Sequence, residues 1–118
     1  MEKLLLVEHE RLFGEGLALL LEWRTGLSCV LARSLAEART TLEEAPRKPA
    51  CVVVDLDLPE RQGTEVLEEL DGVPVLALIG SRNVPRQAEA LELGADEVLV
   101  TTEPAEGIAA AVERLVGG

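Results

Sequence analysis

Residues 50–59 read ACVVVDLDLP, an apolar run that ends in two aspartates, Asp55 and Asp57, and a proline. An apolar run without polar alternation is typical of a strand that is buried on both faces of a parallel sheet. Acidic side chains directly after such a strand lie at its carboxyl end, which is where open α/β sheets bind their ligands. This stretch therefore predicts both a fold class and the position of a site.

Strand-like runs and helix-period segments alternate along the rest of the chain. This alternation predicts an α/β fold, with a parallel sheet covered by helices on both faces. Because 118 residues are too few for an eight-stranded barrel, we expect an open, doubly wound, five-stranded sheet of strand order 2-1-3-4-5. The predicted strands are 3–7, 27–32, 50–54, 73–79 and 97–100, and the predicted helices are 11–24, 35–45, 64–70, 85–93 and 104–115.

Length and composition narrow the functional classes. Residues 1–118 fit one domain, and no apolar run is long enough to span a membrane, so we expect a cytoplasmic protein without membrane contact. The net charge of −11 argues against direct nucleic-acid binding, which needs a basic face. The chain has one histidine, no glycine-rich phosphate loop and no nucleophile with a positioned base, so we expect that it is not an ordinary enzyme.

A second acidic cluster follows the first predicted strand, which runs into Glu8, His9 and Glu10. In the predicted strand order, the carboxyl ends of the first and third strands are neighbours. We therefore expect Glu8, His9, Asp55 and Asp57 to meet in one crevice. Converging carboxylates are what Mg²⁺ requires, and a bound cation would offset the repulsion between Asp55 and an incoming phosphoryl group.

Three segments resemble response regulator receiver domains of two-component systems: VEHERLFGEGL at 7–17, Asp55 with Pro59 and Gly63, and GADE at 94–97. The first is similar to the opening of the NarL-like subfamily. The resemblance implies a flavodoxin-like, receiver-type fold in which Asp55 takes a phosphoryl group from a histidine kinase. It also implies Mg²⁺ near Glu8, Asp55 and Asp57, and at most self-phosphorylation as catalysis.

The chain departs from the family pattern at functional positions. One of the family's two adjacent metal-holding acids falls on His9, and Mg²⁺ prefers oxygen ligands to imidazole. The family's Thr or Ser after the fourth strand falls on Ile79, which has no hydroxyl for a phosphoryl oxygen. The family's Lys falls on Thr101, so the cation that would neutralise the transferred group is missing. We therefore predict a degenerate or pseudo-receiver site, in which a protonated His9 beside Asp55 could replace the metal charge.

Three functions stay open at this point. We interpret the chain as a binding module that recognises a protein partner, either a kinase or an effector, without being phosphorylated. The alternative is an active phosphoacceptor at Asp55. The third is a site for a different metal or a small ligand, using the mixed oxygen and nitrogen donors of the crevice. The resemblance also implies a DNA-binding helix-turn-helix domain after many such receivers, so we expect either that a separate protein provides the output or that these residues are only the receiver part.

Self-association also stays open. Apolar residues of the last two predicted helices, such as Leu91 and Val112, could form a homodimer face. Helix residues of this kind more commonly point inward, so we expect both to fill the core.

Overall fold

Five parallel strands form one sheet of order β2-β1-β3-β4-β5 in a computed structural model of the protein. The structure describes residues 2–58, 67, 68, 70 and 72–117. This order confirms the predicted 2-1-3-4-5 arrangement. The elements are β1 (Lys3–Val7), α1 (Arg11–Thr25), β2 (Ser28–Ala32), α2 (Leu35–Glu44), β3 (Cys51–Asp55), β4 (Val75–Ile79), α3 (Val84–Glu92), β5 (Glu97–Val100) and α4 (Ala105–Gly117).

Seven of the predicted elements differ from the observed ones by one or two residues at an end, and one predicted helix falls largely outside the described residues. β4 begins at Val75 rather than at residue 73, because Pro74 has no N–H to donate to the sheet and contributes only its carbonyl, which accepts from Val52. The predicted helix at 64–70, together with Pro59 and Gly63, lies almost wholly outside the described residues.

The sheet separates two apolar layers, because successive side chains of a strand point to opposite faces. In β1, Leu5 and Val7 belong to the layer that also contains Ala38 of α2. Leu4 and Leu6 of the same strand belong to the opposite layer, which packs against α1 and α4. Apolar side chains cover β3 on both faces of the sheet, so every residue of that strand is buried.

Local signals agree with this arrangement. Ser34 caps α2 by accepting from the N–H of Glu37 at 3.1 Å, and Asn83 caps α3 by accepting from the N–H of Arg86 at 3.0 Å. Gly26 ends α1 at a φ of 76°, a left-handed conformation that favours glycine. None of the helices in the described ranges is both long and apolar enough to cross a membrane.

The expectation for Leu91 is wrong, whereas that for Val112 is confirmed. Val112 is fully buried in the layer beneath α4, but half of the Leu91 surface is exposed. In α3 the sheet-facing position is taken by the small Ala90, so the next residue along the helix turns outward.

Candidate functional site

The crevice lies at the carboxyl ends of β1 and β3, which are adjacent strands. Glu8 extends β1 by donating its N–H to the carbonyl of Ala32 at 2.9 Å, and only 2% of its surface is exposed. Asp55 is the last residue of β3 and is 6% exposed. Strand pairing therefore holds two carboxylates side by side in a largely dry position. The crevice has a volume of about 300 Å³.

The charge of Glu8 is controlled by its surroundings. Burial raises the pKa of its carboxyl from 4.5 to about 7, and the negative charge of Asp55 and a hydrogen bond with it act in the same direction. The N–H of Glu10, which donates to Oε1 of Glu8 at 3.0 Å, opposes this shift only in part. The Glu8 carboxyl therefore ionises less readily than an exposed glutamate.

His9 sits between the two carboxylates. Its Nδ1 is 3.6 Å from Oε1 of Glu8 and 3.6 Å from Oδ2 of Asp55. This nitrogen is buried and has no hydrogen-bond partner among the described residues, although the side chain as a whole is 35% exposed. The carbonyl of His9 accepts from the Arg33 guanidinium at 3.3 Å, which holds the loop after β1 against β2. A protonated imidazole here would face two acidic groups.

Asp57 is tied to the next strand and helix. Its N–H donates to Oδ1 of Asp55 at 2.8 Å, and its own Oδ2 accepts from the N–H of Gly80 at 2.6 Å. Its Oδ1 is 2.7 Å from the Arg86 guanidinium, which also donates to the carbonyl of Leu56 at 2.7 Å. The Asp57 carboxylate therefore binds both the N–H of Gly80 and the Arg86 guanidinium at the rim of the crevice.

Arg86 was missed by the sequence analysis. It lies in the first turn of α3, and nothing in its sequence neighbourhood marks it as a site residue. The available signal was topological, because a helix that follows β4 begins beside the end of β3.

Ile79 and Thr101 mark the far side of the crevice. Ile79 is fully buried at the end of β4, and its carbonyl accepts from the N–H of Thr101 at 2.8 Å. Thr101 follows β5 and lines the crevice, where it offers a neutral hydroxyl. Of the described residues that line this crevice, none is a lysine or an arginine.

Comparison with known proteins decides the family. The sequence-family model of the response regulator receiver domain matches residues 4–113. The chain belongs to this family. Receiver domains are generally not enzymes in their own right.

Curated relatives support the same assignment. The KDP operon transcriptional regulatory protein KdpE of Escherichia coli K12 is 34% identical over 102 residues, which cover 84% of the chain and 44% of the relative. The acid tolerance regulatory protein ActR of Rhizobium meliloti is 31% identical over 120 residues, covering 98% of the chain and 60% of that protein. The receiver domain thus spans about half the length of the curated relatives that it matches.

Solved structures share the fold. A LuxR-family response regulator from Aurantimonas is 26% identical with a TM-score of 0.86, and the match covers 98% of the chain and 85% of that structure. A response regulator from Burkholderia pseudomallei, described with a phosphorylated aspartic acid, a calcium ion and citrate, is 25% identical with a TM-score of 0.84. That match covers 99% of the receiver domain and 69% of the other chain.

Receiver domains typically bind Mg²⁺ at their acidic site, so the fit of this crevice to Mg²⁺ matters. One donor atom each from Glu8, His9 and Asp55 lies within 4.8 Å of the others. Two of these donors are carboxylate oxygens, but the third is an imidazole nitrogen, which Mg²⁺ accepts poorly. The residues present therefore fit Mg²⁺ poorly.

Proposed function

We propose that this receiver domain signals through protein contacts and does not depend on phosphoryl transfer to Asp55. The observation that carries the proposal is the position of His9, whose Nδ1 lies 3.6 Å from both Glu8 and Asp55. An imidazole therefore stands beside the two carboxylates that would hold a divalent cation. We further propose a cytoplasmic module of the NarL-like subfamily whose partner is a kinase or an effector protein.

The charges that an incoming phosphoryl group would meet in the crevice support this proposal. A phosphoryl donor is an anion, and its transfer is stabilised mainly by cations and aligned N–H groups. In this crevice Thr101 offers no charge, and Ile79 has no hydroxyl. The nearby Arg86 and the N–H of Gly80 are both engaged by Asp57. An incoming phosphoryl group would have to displace the Asp57 carboxylate from these two partners.

The alternative is an active phosphoacceptor, and one observation favours it. Asp55 ends β3 inside the crevice, and among the described residues the backbone holds one of its oxygens, through the N–H of Asp57 at 2.8 Å. Its second oxygen, Oδ2, faces His9 across 3.6 Å. Attack by that oxygen on a phosphoryl donor would need the cation that Thr101 does not supply.

The proposal is tested by intact-protein mass spectrometry after incubation with a small acyl phosphate and Mg²⁺. The matched control is a triple variant, His9→Asp with Ile79→Thr and Thr101→Lys, which restores the family's residues at all three positions. We expect no adduct on the wild-type protein. The restored variant should gain one phosphoryl group, which adds about 80 Da to its mass. Asp55→Asn in the restored background should remove the adduct.

An Asp55-dependent adduct on the folded wild-type protein would overturn the proposal and establish the phosphoacceptor. The same samples report on the cation. Isothermal titration calorimetry should show weaker Mg²⁺ binding to the wild-type protein than to His9→Asp, because the substitution replaces a nitrogen donor by an oxygen donor.

A further inference from the structure

The Nδ1 atom of His9 is a buried nitrogen that has no hydrogen-bond partner among the described residues. It lies 3.6 Å from Oε1 of Glu8 and 3.6 Å from Oδ2 of Asp55, which is too far for a good hydrogen bond to either oxygen. Buried polar atoms of folded proteins are nearly always bonded, so a buried nitrogen without a partner points to a ligand that completes the site. That ligand has to satisfy one nitrogen and two carboxylate oxygens together.

The spacing of the donor atoms decides which cation fits. Zn²⁺ holds four ligands in a tetrahedron at about 2.0–2.2 Å, which separates neighbouring nitrogen and oxygen ligands by about 3.3–3.6 Å. Mg²⁺ holds six ligands in an octahedron at about 2.0–2.1 Å, which separates neighbouring ligands by about 2.9 Å. The two observed separations of 3.6 Å lie at the upper end of the tetrahedral range and well outside the octahedral value. The cluster is therefore spaced for a tetrahedral ion.

The types of donor agree with the spacing. Imidazole nitrogen suits zinc and the neighbouring divalent transition metals, whereas Mg²⁺ is held by oxygen. Two buried carboxylates are unfavourable without a compensating cation, and Glu8 and Asp55 are only 2% and 6% exposed. The described residues that line the crevice include no lysine or arginine to compensate them. We propose that Glu8, His9 and Asp55 form a binding site for a divalent transition-metal ion of the Zn²⁺ type, at the place where receiver domains typically hold Mg²⁺.

Hydrogen bonds around the cluster hold its three residues in place. Each carboxylate accepts from the backbone N–H two residues further along the chain, at 3.0 Å on Oε1 of Glu8 and at 2.8 Å on Oδ1 of Asp55. The carbonyl of His9 accepts from the Arg33 guanidinium at 3.3 Å. Such outer contacts orient the ligands of a metal and reduce the cost of assembling the site. In Asp55 the other oxygen, Oδ2, is the one that faces His9.

The fourth ligand is expected to be water. The Asp57 carboxylate is engaged by the N–H of Gly80 at 2.6 Å and by the Arg86 guanidinium at 2.7 Å. The crevice of about 300 Å³ has room for water, which takes about 30 Å³ per molecule in the liquid. This metal site rests on the proposed function, because a crevice that binds Mg²⁺ and a phosphoryl group would use the same carboxylates.

The two cysteines are the other side chains that a zinc ion would favour. Burial raises the pKa of both the Cys29 and the Cys51 thiol to about 12, so neither forms a thiolate readily. Both pair with Leu4 of β1, from opposite sides, so they lie two strand spacings or about 10 Å apart. The thiols therefore do not share an ion, and zinc binding by this chain should report on the crevice.

The test adds metal ions alone to the whole 118-residue chain, without a histidine tag or a phosphate buffer. Co²⁺ is the first probe, because tetrahedral Co²⁺ absorbs visible light much more strongly than octahedral Co²⁺. In calorimetry we expect one Zn²⁺ per chain, bound at least about a hundredfold more tightly than Mg²⁺. His9 is the single histidine of the chain, so its Nδ1 resonance in nitrogen NMR spectra reports on the bond to the metal and should shift when Zn²⁺ is added.

Substitutions locate the ion. His9→Gln removes the imidazole and should weaken Zn²⁺ binding at least about tenfold. His9→Asp replaces the nitrogen donor by an oxygen donor and should lower the preference for Zn²⁺ over Mg²⁺, which a merely structural role of His9 would not do. Cys29→Ser, and Glu43→Gln at an exposed position of α2, are the matched controls and should bind Zn²⁺ as the wild type does.

Three results would overturn the metal site: no Zn²⁺ binding at about 1 mM, a Co²⁺ spectrum of the octahedral type, or a His9→Gln protein that binds Zn²⁺ as well as the wild type. If His9→Gln does not fold, the Nδ1 resonance of the wild type decides, and an unchanged resonance overturns the site. The proposed function fails separately, through an Asp55-dependent phosphoryl adduct. A chain that forms no adduct and binds no Zn²⁺ contradicts only the metal site.

Discussion

Replacing the buried carboxylic acid of Glu8 by an amide, in Glu8→Gln, is expected to stabilise the fold above neutral pH. The glutamine keeps the shape of the side chain. Its amide oxygen can accept from the N–H of Glu10, as Oε1 does now, and its amide group can donate to Asp55, as the protonated acid does. What the substitution removes is the cost of ionising a carboxyl group that is 2% exposed and next to another acid.

The magnitude follows from the pKa of Glu8. It rises from 4.5 to about 7 on folding, which at about 1.4 kcal/mol per unit corresponds to roughly 3 kcal/mol. Between these two pH values the folded state holds more protons than the unfolded state. The free energy of unfolding therefore falls as the pH rises from about 4.5 to about 7, and this contribution is constant above that window. Glu8→Gln should lack this slope.

The assay is chemical unfolding of both proteins at a series of pH values, in the presence of a chelator. Far-ultraviolet circular dichroism is the suitable probe, because Trp23 is largely exposed and its fluorescence would change little on unfolding. We expect the two proteins to have similar stability near pH 4.5, and the variant to be more stable by roughly 3 kcal/mol at pH 8. Glu43→Gln, at an exposed position of α2, serves as the matched control and should follow the wild type.

A stability difference between Glu8→Gln and the wild type that is the same at pH 5 and pH 8 would refute this reasoning. It would mean that Glu8 is ionised in the folded state across the whole range, as it would be if a protonated neighbour or a bound cation neutralised it.

Three further changes test the packing of the fold. Arg86→Ala removes the guanidinium that holds the carbonyl of Leu56, and should lower the free energy of unfolding by about 2 kcal/mol, with Arg86→Lys in between. Gly16→Ala should stabilise the fold by about 0.5–1 kcal/mol, whereas Gly14→Ala should gain less or destabilise, because its Cβ would lie 3.1 Å from a methyl group of β2. Leu6→Ala empties a fully buried position of β1 and should cost about 2–5 kcal/mol. Denaturant unfolding at low protein concentration measures all of these; equal effects at the two glycines, or a loss under about 1 kcal/mol at Leu6, would contradict the packing described.

Much of the fold could be predicted from the sequence, because its signals are local. Apolar runs without alternation mark buried parallel strands, and the alternation of strands with helices leaves few topologies open. Once the strand order was predicted, the carboxyl ends of β1 and β3 had to be neighbours, and the structure has Glu8, His9 and Asp55 together there. The start of β4 was harder to predict from the apolar run, since it depends on the missing N–H of Pro74.

Residues separated in sequence decide what the crevice can do. Arg86 reaches Asp57 only because α3 begins beside β3, and no sequence pattern announces a contact over that separation. The depth of burial of Glu8 depends on side chains from several elements, so its raised pKa could not be predicted from the sequence.

The amino-acid sequence by itself determined the α/β class, the strand order, the family and the residues at the carboxyl ends of the strands, since each depends on local pattern and chain connectivity. Tertiary structure alone decided which apolar face of α1 is buried. Leu17 and Leu21 face the sheet while Leu12 and Trp23 face outward, although both pairs satisfy the helical period equally well. Helical periodicity defines a face but not its direction, which is chosen by how well that face packs on the sheet.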